Sequence, residues 1–200
     1  MDADAVELRV LGCLVEKQRT TPDQYPLSLN SLRLACNQST NRDPVVDYDE
    51  PTIRAAIEKL SRRGWIRLAS GPGSRVAKYR HLFDEAMSLD GAETSLLAML
   101  MLRGHQTAAE LKTRTDRMYH FGSVPEVEER LRRLAERDLA RLLERRPGER
   151  EARWTHLLGD DEPRAAMVAA APVAAAPQSD LEERVARLEE LVAELQQRLE

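Results

Sequence analysis

The stretch Pro51-Thr52-Ile53-Arg54-Ala55-Ala56-Ile57-Glu58-Lys59-Leu60-Ser61-Arg62-Arg63-Gly64-Trp65 decides the fold, because the chain writes its pattern twice. Pro51, Ile53, Ile57, Leu60 and Trp65 return 74 positions later as Pro125, Val127, Leu131, Leu134 and Leu139. Apolar residues spaced by four and then three fall on one face of a helix, and a proline in the first turn gives up an N–H that has no helical partner there. A strand-like tag follows each copy, Arg75-Val76-Ala77-Lys78-Tyr79-Arg80-His81 and Arg150-Glu151-Ala152-Arg153-Trp154-Thr155-His156, now 75 positions apart. A fixed long period predicts two copies of one small domain. Helix, short apolar strand, turn and second strand read as the second half of a winged helix.

The residues upstream of each copy agree. Val6, Leu8, Leu11, Leu14 and Val15 make an apolar stripe in the first copy, as Leu96, Leu97, Leu100 and Met101 do in the second. A shorter helix follows, with Leu29, Leu32 and Ala35 inside in one copy and Ala108 and Leu111 in the other. The predicted order is helix, helix, helix, hairpin, twice over. The expected class is mainly α with small β-hairpins (α+β), with winged-helix domains at 1–85 and 90–159.

Several stretches also resemble the YceH family of bacterial proteins. They are Thr21-Pro22-Asp23-Gln24-Tyr25-Pro26-Leu27-Ser28-Leu29-Asn30, Ala35-Cys36-Asn37-Gln38, Asn41-Arg42-Asp43-Pro44, Gly73-Ser74-Arg75-Val76, Met101-Leu102-Arg103-Gly104 and Glu110-Leu111-Lys112-Thr113-Arg114. The likeness covers roughly residues 3–158. It implies two tandem winged-helix domains, and it implies no activity, because the family has no established one.

With 200 residues and only 4% aromatics, each repeat must rest its core on Leu, Val, Ile and Ala, so two modest cores are expected. Nothing resembles a signal peptide, and no apolar run approaches the ~20 residues of a membrane span, so a cytoplasmic protein with no membrane partner is expected. Cys13 and Cys36 fall on apolar faces of different helices and read as buried thiols.

The net charge of -4 hides an uneven distribution. Residues 1–83 carry 13 Lys/Arg against 10 Asp/Glu, residues 90–160 carry 13 of each, and residues 161–200 carry 4 against 9. Only the first repeat has a basic excess, and a basic face is what nucleic acid needs.

In a winged helix the third helix can enter a major groove. With Ile53, Ile57 and Leu60 inward, Ala55, Glu58, Lys59 and Arg62 face outward, and Thr52, Arg54 and Arg63 flank them. Arg75 and Lys78 border the Gly71-Pro72-Gly73 turn of the hairpin and could grip a phosphate. The candidate DNA-binding set is therefore Thr52, Arg54, Lys59, Arg62, Arg75 and Lys78. The corresponding helix of the second repeat exposes Glu126, Glu128 and Glu129 in its first turns, which suits the helix dipole and repels phosphate. The polar loop from Asn37 to Asp49 is far longer than the ~3 to 4 residues of a helix-turn-helix turn, a departure that weighs against simple groove reading.

Catalysis finds little support, so no enzyme activity and no cofactor are expected. The four histidines are scattered, no metal-ligand spacing occurs, and the Gly71-Pro72-Gly73 turn lacks the lysine and hydroxyl of a phosphate loop.

After Gly159 the composition changes. Residues 160–179 are rich in Ala and Pro and read as a tether, and 180–200 read as a short coiled-coil helix. Leu181, Val185, Leu188, Val192, Leu195 and Leu199 form a seam with Val at a and Leu at d, which favours parallel pairs and hence a homodimer. A helix packing on its own chain is the alternative. Two functional classes stay open: a DNA-binding regulator acting through the first repeat, and a protein–protein interaction module with an unidentified protein partner and no DNA binding.

Overall fold

Helix α1 (Ala5–Thr20) starts at Asp4, whose side chain accepts the Glu7 amide at 2.9 Å while the Glu7 carboxylate accepts the Asp4 amide at 2.8 Å. This reciprocal cap fixes the entry of the chain. A 3₁₀ turn (Pro22–Gln24) leads to the two-residue strand β1 (Leu27–Ser28), and Ser28 caps α2 (Leu29–Cys36). Helix α3 (Glu50–Arg62), strands β2 (Ile66–Leu68) and β3 (Lys78–His81) and the short α4 (Phe83–Met87) complete the first repeat. The second contains α5 (Gly91–Arg103), α6 (Ala108–Thr115), α7 (Val124–Glu136), β4 (Ala140–Leu142) and β5 (Trp154–His156). The computed structural model describes residues 3–70, 76–145, 148 and 150–159. Arg75, the tether expected at 160–179 and the coiled-coil helix expected at 180–200 lie outside them.

The molecule is thus mixed α and β, mostly helical, with small antiparallel sheets. Strand β1 was not foreseen. It is two residues long, too short for any alternation to show, and it pairs with β3 to give the sheet order β1-β3-β2.

The repeat holds to the level of single hydrogen bonds. Ile66 faces His81 and Leu68 faces Tyr79 in one hairpin; Ala140 faces His156 and Leu142 faces Trp154 in the other. The amide of Trp65 bonds Leu60 O and that of Leu139 bonds Leu134 O, both third helices ending in the same turn. The residue that reverses the chain is Gly64 at φ 74° in one copy and Asp138 at φ 55° in the other. Strand β1 survives in the second repeat as a single bridge between Gln106 and Trp154.

The two expected cores are one. Helix α1 packs along α5, and a continuous apolar cluster runs from Leu8, Leu11 and Leu14 through Leu97 and Leu100 to Leu131 and Leu134. Each fully buried Leu or Ile adds about 1.5–3 kcal/mol relative to exposure. The crossing depends on Gly12, where a Cβ would lie 2.9 Å from Leu102 Cγ. At the far end Ala3 pairs with Gly159, where a Cβ would stand 1.9 Å from the Ala3 carbonyl oxygen. Val10 is fully buried although the amphipathic stripe of α1 leaves it unassigned, and every residue of α1 from Glu7 to Glu16 is buried, as a helix covered on more than one side must be.

Candidate nucleic-acid interface

Asp49 caps α3 by accepting the Thr52 amide at 2.9 Å, and Pro51 occupies the first turn. Hydrogen bonds from Thr52 hold the Asp49 carboxyl below its ordinary pKa. Ile53, Ala56, Ile57 and Leu60 are buried, leaving Arg54, Ala55, Glu58, Lys59, Ser61 and Arg62 exposed. The outward face is the one the periodicity predicts.

Its cations are not equivalent. Arg54 Nη2 sits 2.7 Å from Glu50 Oε1 one turn away, an exposed pair of the kind worth about 0.3–0.5 kcal/mol and readily given up to a phosphate. Lys59 Nζ lies 2.7 Å from Asp4 Oδ2, so this side chain leans along the flank and ties α3 to the cap of α1. That contact raises the Lys59 pKa. It also lowers that of Asp4, against the opposing effect of its partial burial. Arg63 Nε reaches Glu7 Oε1 at 3.2 Å, and its guanidinium lies 5.6 Å from the Trp65 ring centroid. Arg62 is exposed and meets no carboxylate among the described residues. Thr52 is half-buried beside its cap.

Lys78 stands exposed on β3 opposite Ser28, the cap of α2. The same outer sheet face carries Arg67 directly opposite Arg80, two cations that the helix-centred reading passed over. A period of two along Lys78-Tyr79-Arg80 and Ile66-Arg67-Leu68 was the available signal. Like charges directly opposite one another destabilise a strand pair. Arg80 is relieved in part by Glu85 at 3.1 Å.

Helix α7 is different. Arg132 pairs with Glu128 at 2.9 Å, Arg133 with Glu129, Arg130 with Asp90 at 2.5 Å, and Arg137 with Glu93 at 3.5 Å. The last pair is the counterpart of Arg63–Glu7: in both repeats the arginine after the third helix bonds the glutamate of the first helix's capping box. Carboxylates balance every arginine on this helix.

The 37–49 loop is an internal clamp. Arg42, fully buried as a side chain, forms two parallel hydrogen bonds to Glu16 (2.5 and 3.1 Å) and donates to Ala35 O, Asn41 O and Gln38. Arg9, also buried, donates to Cys36 O and Pro44 O. The Asp43 amide bonds Leu102 O and Arg103 bonds Asn41 Oδ1, so the loop joins the first repeat to the end of α5. Its length reflects this bridging. Cys13 and Cys36 are both buried beneath it, Cys13 donating to Ala35 O at 3.3 Å.

Among the described residues no three His, Cys, Asp or Glu are grouped to hold a metal ion, and no helix is long and apolar enough to cross a membrane. His81 and His156 are buried at equivalent positions of the two hairpins. His81 Nε2 meets Gln18 Oε1 at 2.6 Å, and burial holds this imidazole below its ordinary pKa although Asp84 pulls the other way.

Residues 3–149 match the family model described as "Protein of unknown function, DUF480". The chain is 44% identical over 208 residues to a "UPF0502 protein" of Serratia proteamaculans, covering 100% of this chain and 94% of that relative. It is 45% identical over 204 residues to the "UPF0502 protein YceH" of Salmonella paratyphi B and to that of Salmonella newport, in each case over 98% of this chain and 94% of the relative. A match of this extent, across both repeats and the clamp that joins them, means that the chain belongs to the DUF480, or UPF0502, family that includes the YceH proteins.

Proposed function

We propose that the protein is a non-enzymatic, cytoplasmic tandem winged-helix protein that binds DNA through its first repeat. The winged-helix reading rests on the order helix, strand, helix, helix, hairpin with the last strand in the middle of the sheet. The DNA reading rests on one contrast. The first repeat presents Arg62 and Lys78 with no carboxylate partner among the described residues, around the small Ala55, whereas Arg130, Arg132 and Arg133 of α7 each have one. Arg54 sits in the same kind of exposed pair as Arg132 and Arg133 but without the further glutamates that crowd the first turns of α7. Neutralising phosphates releases counterions, so affinity should fall with salt at a log-log slope of about 0.9 per contact. Within the candidate set Arg54, Arg62 and Lys78, with Arg75, carry the backbone contacts; Thr52 and Lys59 chiefly hold the helix in place.

The test is fluorescence anisotropy of labelled genomic-fragment duplexes at several salt concentrations. Arg54→Ala with Arg62→Ala should lower both affinity and salt slope, and Arg132→Ala with Arg133→Ala should change neither. If the wild-type chain fails to bind at low salt, the DNA reading fails.

A second reading, a protein-interaction module, is favoured by the exposed Leu68 and Leu142 on equivalent hairpin strands. In either case residues 180–200 pair two chains. Light scattering of the full chain against a version ending at Gly159 should give a dimer and a monomer; equal masses per chain would remove the zipper.

A further inference from the structure

Few exposed residues agree between the repeats, and those that do are informative. Along the third helix and the strand after it, Pro51, Arg63, Arg67 and Leu68 are exposed and match the exposed Pro125, Arg137, Arg141 and Leu142. Folding explains the first two: the prolines start helices, and Arg63 and Arg137 bond the capping-box glutamates. Packing does not explain the Arg-Leu pair. Leu68 is 57% exposed and Leu142 50%, yet each holds the same register opposite an aromatic residue, Tyr79 or Trp154. Both hairpins therefore carry an exposed leucine beside an aromatic ring, and the surroundings of each decide what it can do.

In the second repeat that leucine lines a cleft of about 370 Å³ among the start of α6 at Ala108, α7 and the hairpin, a size within the range of ligand-binding pockets. Leu142, Trp154 and Ala152 supply apolar lining; Glu128, Arg132 and Glu151 supply charge. Arg132 is held by Glu128, which leaves Glu151 without a cation among the described residues. An apolar lining beside a carboxylate fits an apolar side chain with a cation next to it. We propose that this cleft docks a short peptide segment of a partner protein, its Leu, Ile, Val or Met against Leu142 and Trp154 and an adjacent Lys or Arg against Glu151. The first repeat does not share this specificity: Arg54, Glu58 and Val76 stand where the second has Glu128, Arg132 and Glu151. The proposal is independent of DNA binding.

A phage-displayed random heptapeptide library selected on the immobilised full chain, followed by anisotropy of the synthetic consensus peptide, tests it. The selected peptides should share an apolar residue next to Lys or Arg. Leu142→Ser should weaken the consensus peptide by about tenfold, and Leu68→Ser should leave it bound. Glu151→Lys, an exposed change that leaves the apolar lining intact, should weaken the basic peptide and bind its Lys-to-Glu counterpart instead. Failure to select any peptide, a consensus without the apolar–basic pair, indifference to Leu142→Ser, or equal sensitivity to Leu68→Ser would overturn it.

Discussion

Arg42 shows what one residue can hold. Its guanidinium satisfies a carboxylate, two carbonyls and an amide oxygen inside the protein, so removing the acid partner strands a buried cation. Glu16→Ala should cost about 3–5 kcal/mol in urea unfolding, whereas breaking the exposed Arg54–Glu50 pair should cost less than about 0.5 kcal/mol. Gly12→Ala should cost about 1–3 kcal/mol by overpacking against Leu102. His81 gives a pH signature. Burial lowers its pKa in the folded state, so the unfolded chain takes up the proton first, below about 6.5. Its contribution to stability is therefore complete above that value and lost as pH falls toward the folded pKa. Gln18, Asp84, Glu85, Arg19, Arg80 and the Tyr25 hydroxyl surround it. His81→Asn should flatten the stability profile between pH 7 and 5, and an unchanged slope would show that another group carries it.

At the scale of elements, the helices were legible and their partners were not. Ile53, Ile57 and Leu60 announce their own face, because helical spacing is written in neighbouring residues. Lys59 faces outward in that pattern and Arg63 flanks it, yet their charges end on Asp4 and Glu7, contacts between segments more than fifty residues apart that no local spacing records. The same holds for the 37–49 loop, whose polar sequence reads as turns while Arg42 makes it a clamp. Local chemistry does explain the turn after each third helix. A left-handed residue there suits glycine, and Asp138 occupies it under strain that Gly64 avoids. Asp138→Gly should stabilise the protein by up to about 1 kcal/mol and Gly64→Ala should destabilise it by about 1–2 kcal/mol, both read from thermal or urea midpoints.

The whole molecule behaves as its merged core dictates. Since α1 is buried on the α5 side as well as its own, residues 1–88 alone should give a helical but non-cooperative melt, and residues 1–159 should unfold in a single transition followed by circular dichroism and tryptophan emission together. The period in the sequence announced two domains but not their union, because a residue such as Gly12, which lies against Leu102 of the other repeat, breaks no pattern in its own. The bridge between Ala3 and Gly159 has a consequence of another kind. It brings the first and last described residues side by side, so the order in which the repeats are encoded is a matter of history rather than geometry. A gene rewired to begin at Asp90, run through Gly159, cross a short glycine link to Ala3 and stop at Leu89 should specify the same body with the repeats exchanged.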